Sequence, residues 1–342
     1  MKNKKAFEIQ FNWIFVLIAG AAILIIFTLL IFKQKSLSES STNSIALRSM
    51  ESVIEGTSVT TDTSSIIAVP DLNIEVGCGK ISIGKISKQY PRLVLFSPSS
   101  IKGSKIVAQT LSFSAPYKSS NLLFMTSQQI KYILIGNSDL TKAINKTLPP
   151  EINKENFSSY DQSKVKNSNN YKVRFIFDNA DPTSVIFPNS LSKMTDGDVT
   201  ALKITGDIDK GTLDFFENKA GSFVSKGTSY YIGKAALMGA IYADTAEHYE
   251  CNMKNVFARH SMVSDVYVDR TTALYNDDSM SLKCRQAYSN SLPFISSIES
   301  VSKNLAGNSP LSQSDMDTII VDSRSLSAQN DNARDFSCPA IY

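Results

Sequence analysis

Residues 13–32 read WIFVLIAGAAILIIFTLLIF, twenty residues without a charge or a proline. The only polar side chain besides the indole of Trp13 is Thr28. At about 1.5 Å of rise per helical residue the stretch covers roughly 30 Å, the hydrocarbon thickness of a bilayer. Trp13 stands at its edge, where an interfacial aromatic belongs. Lys2, Lys4 and Lys5 precede it, and Lys33 and Lys35 follow. A cleaved signal peptide would have a shorter apolar region with a small-residue cleavage site behind it, and here Lys33-Gln34-Lys35 follows instead. The expected role is a retained single-pass signal-anchor. The short N-terminal tail, with the lysine balance, favours a cytoplasmic N-terminus and an extracytoplasmic C-terminal domain.

Beyond the anchor the composition is that of a globular chain. Of 342 residues, 42% are hydrophobic and 20% charged, which argues against wholesale disorder. The net charge of +3 is spread along the chain, so there is no concentrated basic footprint and nucleic acid is not an expected partner. With only two histidines, chemistry that needs several imidazoles is nearly excluded.

The expected fold class is a mixed α/β (α+β) ectodomain with one transmembrane helix and a helical C-terminal part. The reading divides the chain into a cytoplasmic tail (1–12), the transmembrane helix (13–32), a Ser/Thr-rich stalk (33–65), a mixed α/β domain (66–233) and a helical part packed on it (234–342). Within the stalk, Leu47, Met50 and Ile54 recur at helical spacing, predicting a short helix over 45–54 that packs on the domain or on a neighbouring copy. Residues 56–65 read as a flexible linker. Strands are expected over 92–96, 105–113, 121–125 and 131–135, short runs rich in β-branched and aromatic residues. Asn137-Ser138-Asp139 offers an N-cap to a helix over 140–148, which Pro149-Pro150 ends. The span 153–170 reads as polar connection. Strands follow over 171–177 and 199–205, with 212–216 as the hairpin partner of the last. From Lys234 onward the periodicity is helical. Two apolar stripes run from Leu237 to Val256, and further helices are expected over 263–275, 280–305 (kinked or broken at Pro293) and 314–328.

Cys78, Cys251, Cys284 and Cys338 are far apart and include no Cys-x-x-Cys pair, which disfavours structural zinc. An even number in a domain outside the membrane reads as two disulfides. Three connectivities are open. A staple between Cys251 and Cys284, both on expected helices, is the attractive one, with Cys338 then tied to Cys78.

Candidate chemistry is sparse. His248 and Cys251 lie three apart on a helix with Asp244 and Glu247 nearby, a carboxylate, an imidazole and a thiolate that could ligate a transition metal. The disulfide role of Cys251 excludes that one, and helix-surface polar groups beside a structural cysteine are the plainer reading. Asp207-Ile-Asp209-Lys-Gly211 resembles a loose calcium loop but lacks the terminal glutamate of an EF-hand, so a hairpin turn is expected. Ser99/Lys102 and Ser190/Lys193 have Ser-x-x-Lys spacing without its companion motifs. Residues 221–227 are neither a nucleophile elbow nor a phosphate loop and read as a turn between strands. Asn145-Lys-Thr147 and Asn156-Phe-Ser158 are glycosylation sequons suited to an exposed segment. No catalytic residue and no cofactor are assigned.

Type IV pilins also begin with a basic tail and an apolar helix. Here a cut after Ala6 would place Glu8 second and Phe11 fifth, whereas a pilin-type site places its glutamate about fifth, so the pattern is not met. The expected function is that of a non-enzymatic surface or envelope protein with a binding, scaffolding or assembly role. Its partners would be the lipid bilayer and proteins at the cell surface. A membrane-tethered hydrolase with dispersed catalytic residues and a pilin-like subunit are the alternatives.

Overall fold

The structure, a computed structural model, describes residues 4–57, 60–91, 93–166, 169–307 and 310–342. One helix, α1 (Lys4–Thr57), runs without a break through the apolar span and on into the folded domain. None of its stretch Val16–Lys35 is buried, and among the described residues it is the one helix long and apolar enough to cross a bilayer. Farther along, Ala46, Leu47 and Met50 are buried and Ile54 packs beside them. The expected helix over 45–54 is therefore the last part of α1. The Ser/Thr-rich sequence before it is helical too, although its intrinsic propensity is poor, because packing at one end carries the segment. Of the expected linker, residues 58 and 59 lie outside the described residues, and a strand already begins at Ser64.

Among the described residues, twelve strands form two six-stranded sheets. The first contains β1 (Ser64–Gly77), β2 (Lys80–Ile83), β3 (Ile86–Gln89), β4 (Leu95–Phe96), β5 (Ser100–Ser114) and β6 (Lys118–Ser127), in the order β3-β2-β1-β5-β6-β4. The second contains β7 (Ile130–Ile135), β8 (Asn153–Phe157), β9 (Lys172–Asp178), β10 (Val199–Gly206), β11 (Lys210–Lys219) and β12 (Ser222–Ile232), in the order β12-β11-β10-β9-β7-β8. Strands β8, β7, β9 and β10 are parallel, while β10, β11 and β12 form an antiparallel meander. Between β7 and β8 lies α2 (Asp139–Thr147), N-capped by Ser138, whose side chain accepts from the Thr141 amide at 3.2 Å.

Two expectations change here. The polar stretch after Pro150 contributes edge strand β8, held by backbone pairing to β7 and by Phe157 at its end. Residues 221–227 supply a turn only at Ala220-Gly221 and otherwise form half of β12.

Period-two alternation explains the layers. Val107, Leu122 and Phe124 of the first sheet and Tyr132, Leu134, Ile176 and Leu202 of the second share one core. Ile106, Ala108, Leu123 and Met125 point the other way, onto α1. Ile133, Ile135, Phe175 and Phe177 point away from the shared core and are covered by Phe157, Tyr160, Val185 and Phe187.

Two glycines combine a positive φ with close quarters at positions that matter for the packing of α1 and α2. Gly84 (φ +57) turns β2 into β3 against α1, and a Cβ there would lie 2.7 Å from the Asn43 amide. Gly136 (φ +153) ends β7, and a Cβ there would lie 2.5 Å from Thr141 Oγ1 and 2.7 Å from Asp178 Cβ.

The C-terminal region is helical: α3 (Gly233–Tyr242), α4 (Ala246–Asn276), α5 (Leu282–Gly307) and α6 (Gln313–Asp335). Helix α3 is buried from Ala235 to Tyr242 within the shared core. The two apolar stripes belong to two helices, because the chain leaves α3 at Ala243 and Thr245 recaps α4. No helix-breaking residue separates 256 from 263, and α4 runs through both. Helix α5 does not break at Pro293, since Tyr288 on one side and Ile295 and Ile298 on the other are anchored in the same cluster.

Candidate functional site

Two disulfides close the domain, and their partners correct the expected connectivity. Cys78, in the β1–β2 turn, bonds Cys251 on α4, with α-carbons 6.0 Å apart; Cys284, on α5, bonds Cys338, with α-carbons 5.6 Å apart. The expected staple between Cys251 and Cys284 is absent because α4 lays its first turns on the β-sheets. That brings Cys251 to the first sheet, whereas Cys284 sits at the start of α5 beside the returning C-terminal tail.

Asp244 is the centre of a buried polar junction. It sits between α3 and α4, where Ala243-Asp244-Thr245 breaks the helical path, and Thr245 Oγ1 accepts the His248 amide at 3.2 Å as the cap of α4. The Asp244 carboxylate accepts from the Ser99 amide at 2.8 Å and Ser99 Oγ at 2.9 Å, and it forms an ion pair with Lys172. Beside it the Arg174 guanidinium donates to the Ala240 carbonyl at 3.0 Å and the Ala243 carbonyl at 2.6 Å. These are carbonyls at the end of α3 that have no partner within the helix, and a cation there also complements the helix dipole. Arg174 also lies 5.6 Å from the centre of the Phe215 ring.

The electrostatics follow from burial and charge. Burial pushes the Asp244 carboxyl up, but the Lys172 and Arg174 cations and the Ser99 and Lys172 hydrogen bonds outweigh it and hold it below the ordinary carboxylate value. Burial brings Arg174 down to about 10, against the pull of Asp244, so it is charged at neutral pH. Burial also lowers His248, opposed by Asp244 and Glu247. The arrangement ties the first sheet, the second sheet and the α3–α4 corner together.

The metal candidates do not come together as a ligand set. Cys251 Sγ is bonded to Cys78 and Asp244 is paired with Lys172. Among the described residues no group of three or more His, Cys, Asp or Glu side chains is placed to hold an ion. Asp207 Oδ1 accepts the amides of Asp209 and Lys210, which makes the calcium-like sequence an ordinary β10–β11 turn. Ser99 Oγ donates to Asp244, Ser190 Oγ donates to the Val165 carbonyl and Lys102 lies over the Tyr171 ring, so both serines and Lys102 have structural partners of their own. Asn156 is exposed on β8; Asn145 is half-buried on α2, where its carbonyl accepts from Lys154.

Two features escaped the sequence reading. Lys172 and Arg174 stand two apart in a strand that is otherwise apolar up to Phe177, so they face the same side of a buried sheet. That spacing is itself the signal that a buried anion must answer them. The second feature is an open cleft of about 220 Å³ between the β10–β11 hairpin and the start of α6, lined by Thr205, Tyr230 and Gln313. Lys210 and Asp317 pair across it at 2.8 Å. No sequence signal marks it, because its walls are 107 residues apart.

No protein-family model, curated protein or solved structure matches this chain.

Proposed function

We infer that the chain is a single-pass envelope protein that holds a disulfide-stapled domain outside the membrane in a non-enzymatic binding, scaffolding or assembly role. The observation that supports this is the continuity of α1. An exposed apolar segment leads, with no intervening turn, into residues buried against the first sheet. A tethered enzyme needs only a flexible leash, whereas a continuous helix docked into a core presents its domain at a set height and tilt. The two disulfides fit an oxidising compartment. In-membrane crosslinking of the full chain, followed by identification of captured proteins, tests the reading. A defined partner or self-association is expected, and labelling of the domain by serine- or metal-directed activity probes would overturn it.

The same helix supports a second reading, a pilin-like assembly subunit, in which exposed apolar helices pack against one another. Its mark would be removal of the first six residues, read by intact mass.

A further inference from the structure

We propose that the β2–β3 turn is a foot that reaches the anionic headgroups of the bilayer electrostatically through Lys85, and so sets the tilt of the domain. The proposal rests on the reading of α1 as a membrane anchor. Among the described residues, side-chain burial of α1 by the domain begins at Thr42, and the turn touches the helix one residue later, where Gly84 meets Asn43. Farther up, Lys88 of β3 pairs with Glu51 of α1, so β3 runs alongside the helix with its turn toward the apolar segment. The uncharged span ends at Phe32. From there to Asn43 is about 16 Å of helix at 1.5 Å per residue. The headgroup layer takes up roughly 5–7 Å of that on each side of the hydrocarbon. The backbone of the turn is thus held about 10 Å above the headgroups, a gap that the extended Lys85 side chain narrows to within the ~10 Å over which surface charge is felt at ordinary ionic strength.

The height cannot relax through a hinge, because the helix has none between Lys35 and Asn43. At the turn stands Lys85, exposed, flanked by the hydroxyls of Ser82 and Ser87 and engaged in no ion pair among the described residues. Lys33 and Lys35 lie at the lipid boundary below it. Together they present cations at two heights, a charge arrangement suited to phosphatidylglycerol-type or other acidic headgroups.

All four native cysteines are disulfide-bonded, so a single thiol placed at the exposed Ser87 (Ser87→Cys) takes a fluorophore specifically. The full chain is placed in lipid nanodiscs of neutral phosphatidylcholine, or of the same lipid with about a third phosphatidylglycerol, each with a headgroup-bound quencher. Quenching at least twofold greater in the acidic discs is expected. It should be lost in Lys85→Glu and Lys85→Gln and kept in Lys85→Arg. Intact disulfides and an unchanged circular dichroism spectrum establish that each variant is folded. Equal quenching in both lipids with the chain inserted overturns the foot and leaves the anchor standing. A chain that does not insert overturns the anchor and the foot together.

Discussion

Cys78 and Cys251 are 173 residues apart in sequence, yet their disulfide fastens the β1–β2 turn of the first sheet to the second turn of α4. The bond closes most of the folded domain into one loop, and the unfolded chain loses the corresponding freedom. Replacing both residues with serine should cost about 2–5 kcal/mol, read as a lower midpoint in urea. Peptide mapping of the alkylated, unreduced protein should recover Cys78–Cys251 and Cys284–Cys338 as linked pairs, and recovery of Cys251–Cys284 would contradict this arrangement.

The Lys172–Asp244 pair should respond asymmetrically to mutation. Asp244→Ala leaves Lys172 and Arg174 buried without their anion, at a cost of about 3–5 kcal/mol. Removing both charges, in Lys172→Met with Asp244→Leu, should cost clearly less than the sum of the single changes, which a double-mutant cycle measures directly. Because the Asp244 carboxyl is held below its ordinary value, its stabilisation is present above about pH 4 and is lost as pH falls below that.

His260 sets a second, higher pH window. It is fully buried on α4, edge-on to Phe113 at 5.7 Å and beside Tyr117 at 5.3 Å. Burial lowers it from 6.5 to about 4, and the Ala115 backbone offsets only part of this. Between those values the unfolded chain takes up a proton that the folded one refuses, so stability falls as pH drops from 6.5 to 4 and does not depend on this group above 6.5. At about 1.4 kcal/mol per pH unit, the loss across the window is about 3 kcal/mol. His260→Gln should flatten the unfolding midpoint over that range, and an unchanged slope would show that another group titrates there.

Met50 is one of the side chains that pack the C-terminal part of α1 onto the first sheet. It is fully buried among Ile74, Ile106 and Met125. Met50→Ala should cost about 2–5 kcal/mol. Met50→Asp should release the C-terminal part of α1 from the sheet, seen as faster hydrogen exchange at residues 43–54. Unchanged protection in that segment would mean that α1 does not depend on the sheet for its helical form.

The sequence by itself determined what depends on near neighbours in the chain. The uncharged run at 13–32 can only be a long apolar helix, and Ser138 before Asp139 starts α2 wherever that segment folds. Short runs of β-branched and aromatic residues marked β4–β7 and β9–β11, though not β1–β3, β8 or β12, and the spacing of Leu47, Met50 and Ile54 marked a helical face. The tertiary structure decided everything that joins distant segments. Nothing local distinguishes Cys78 from Cys338 as the partner of Cys251; the docking of α4 on the first sheet does. Lys172 and Arg174 find Asp244 only because β9 runs beneath the α3–α4 corner, 72 residues away for the Lys172 pair. The Ser/Thr-rich stretch before Ile45 is helical because a buried face beyond it and an apolar span before it belong to one helix, and neither propensity nor composition reports that continuity.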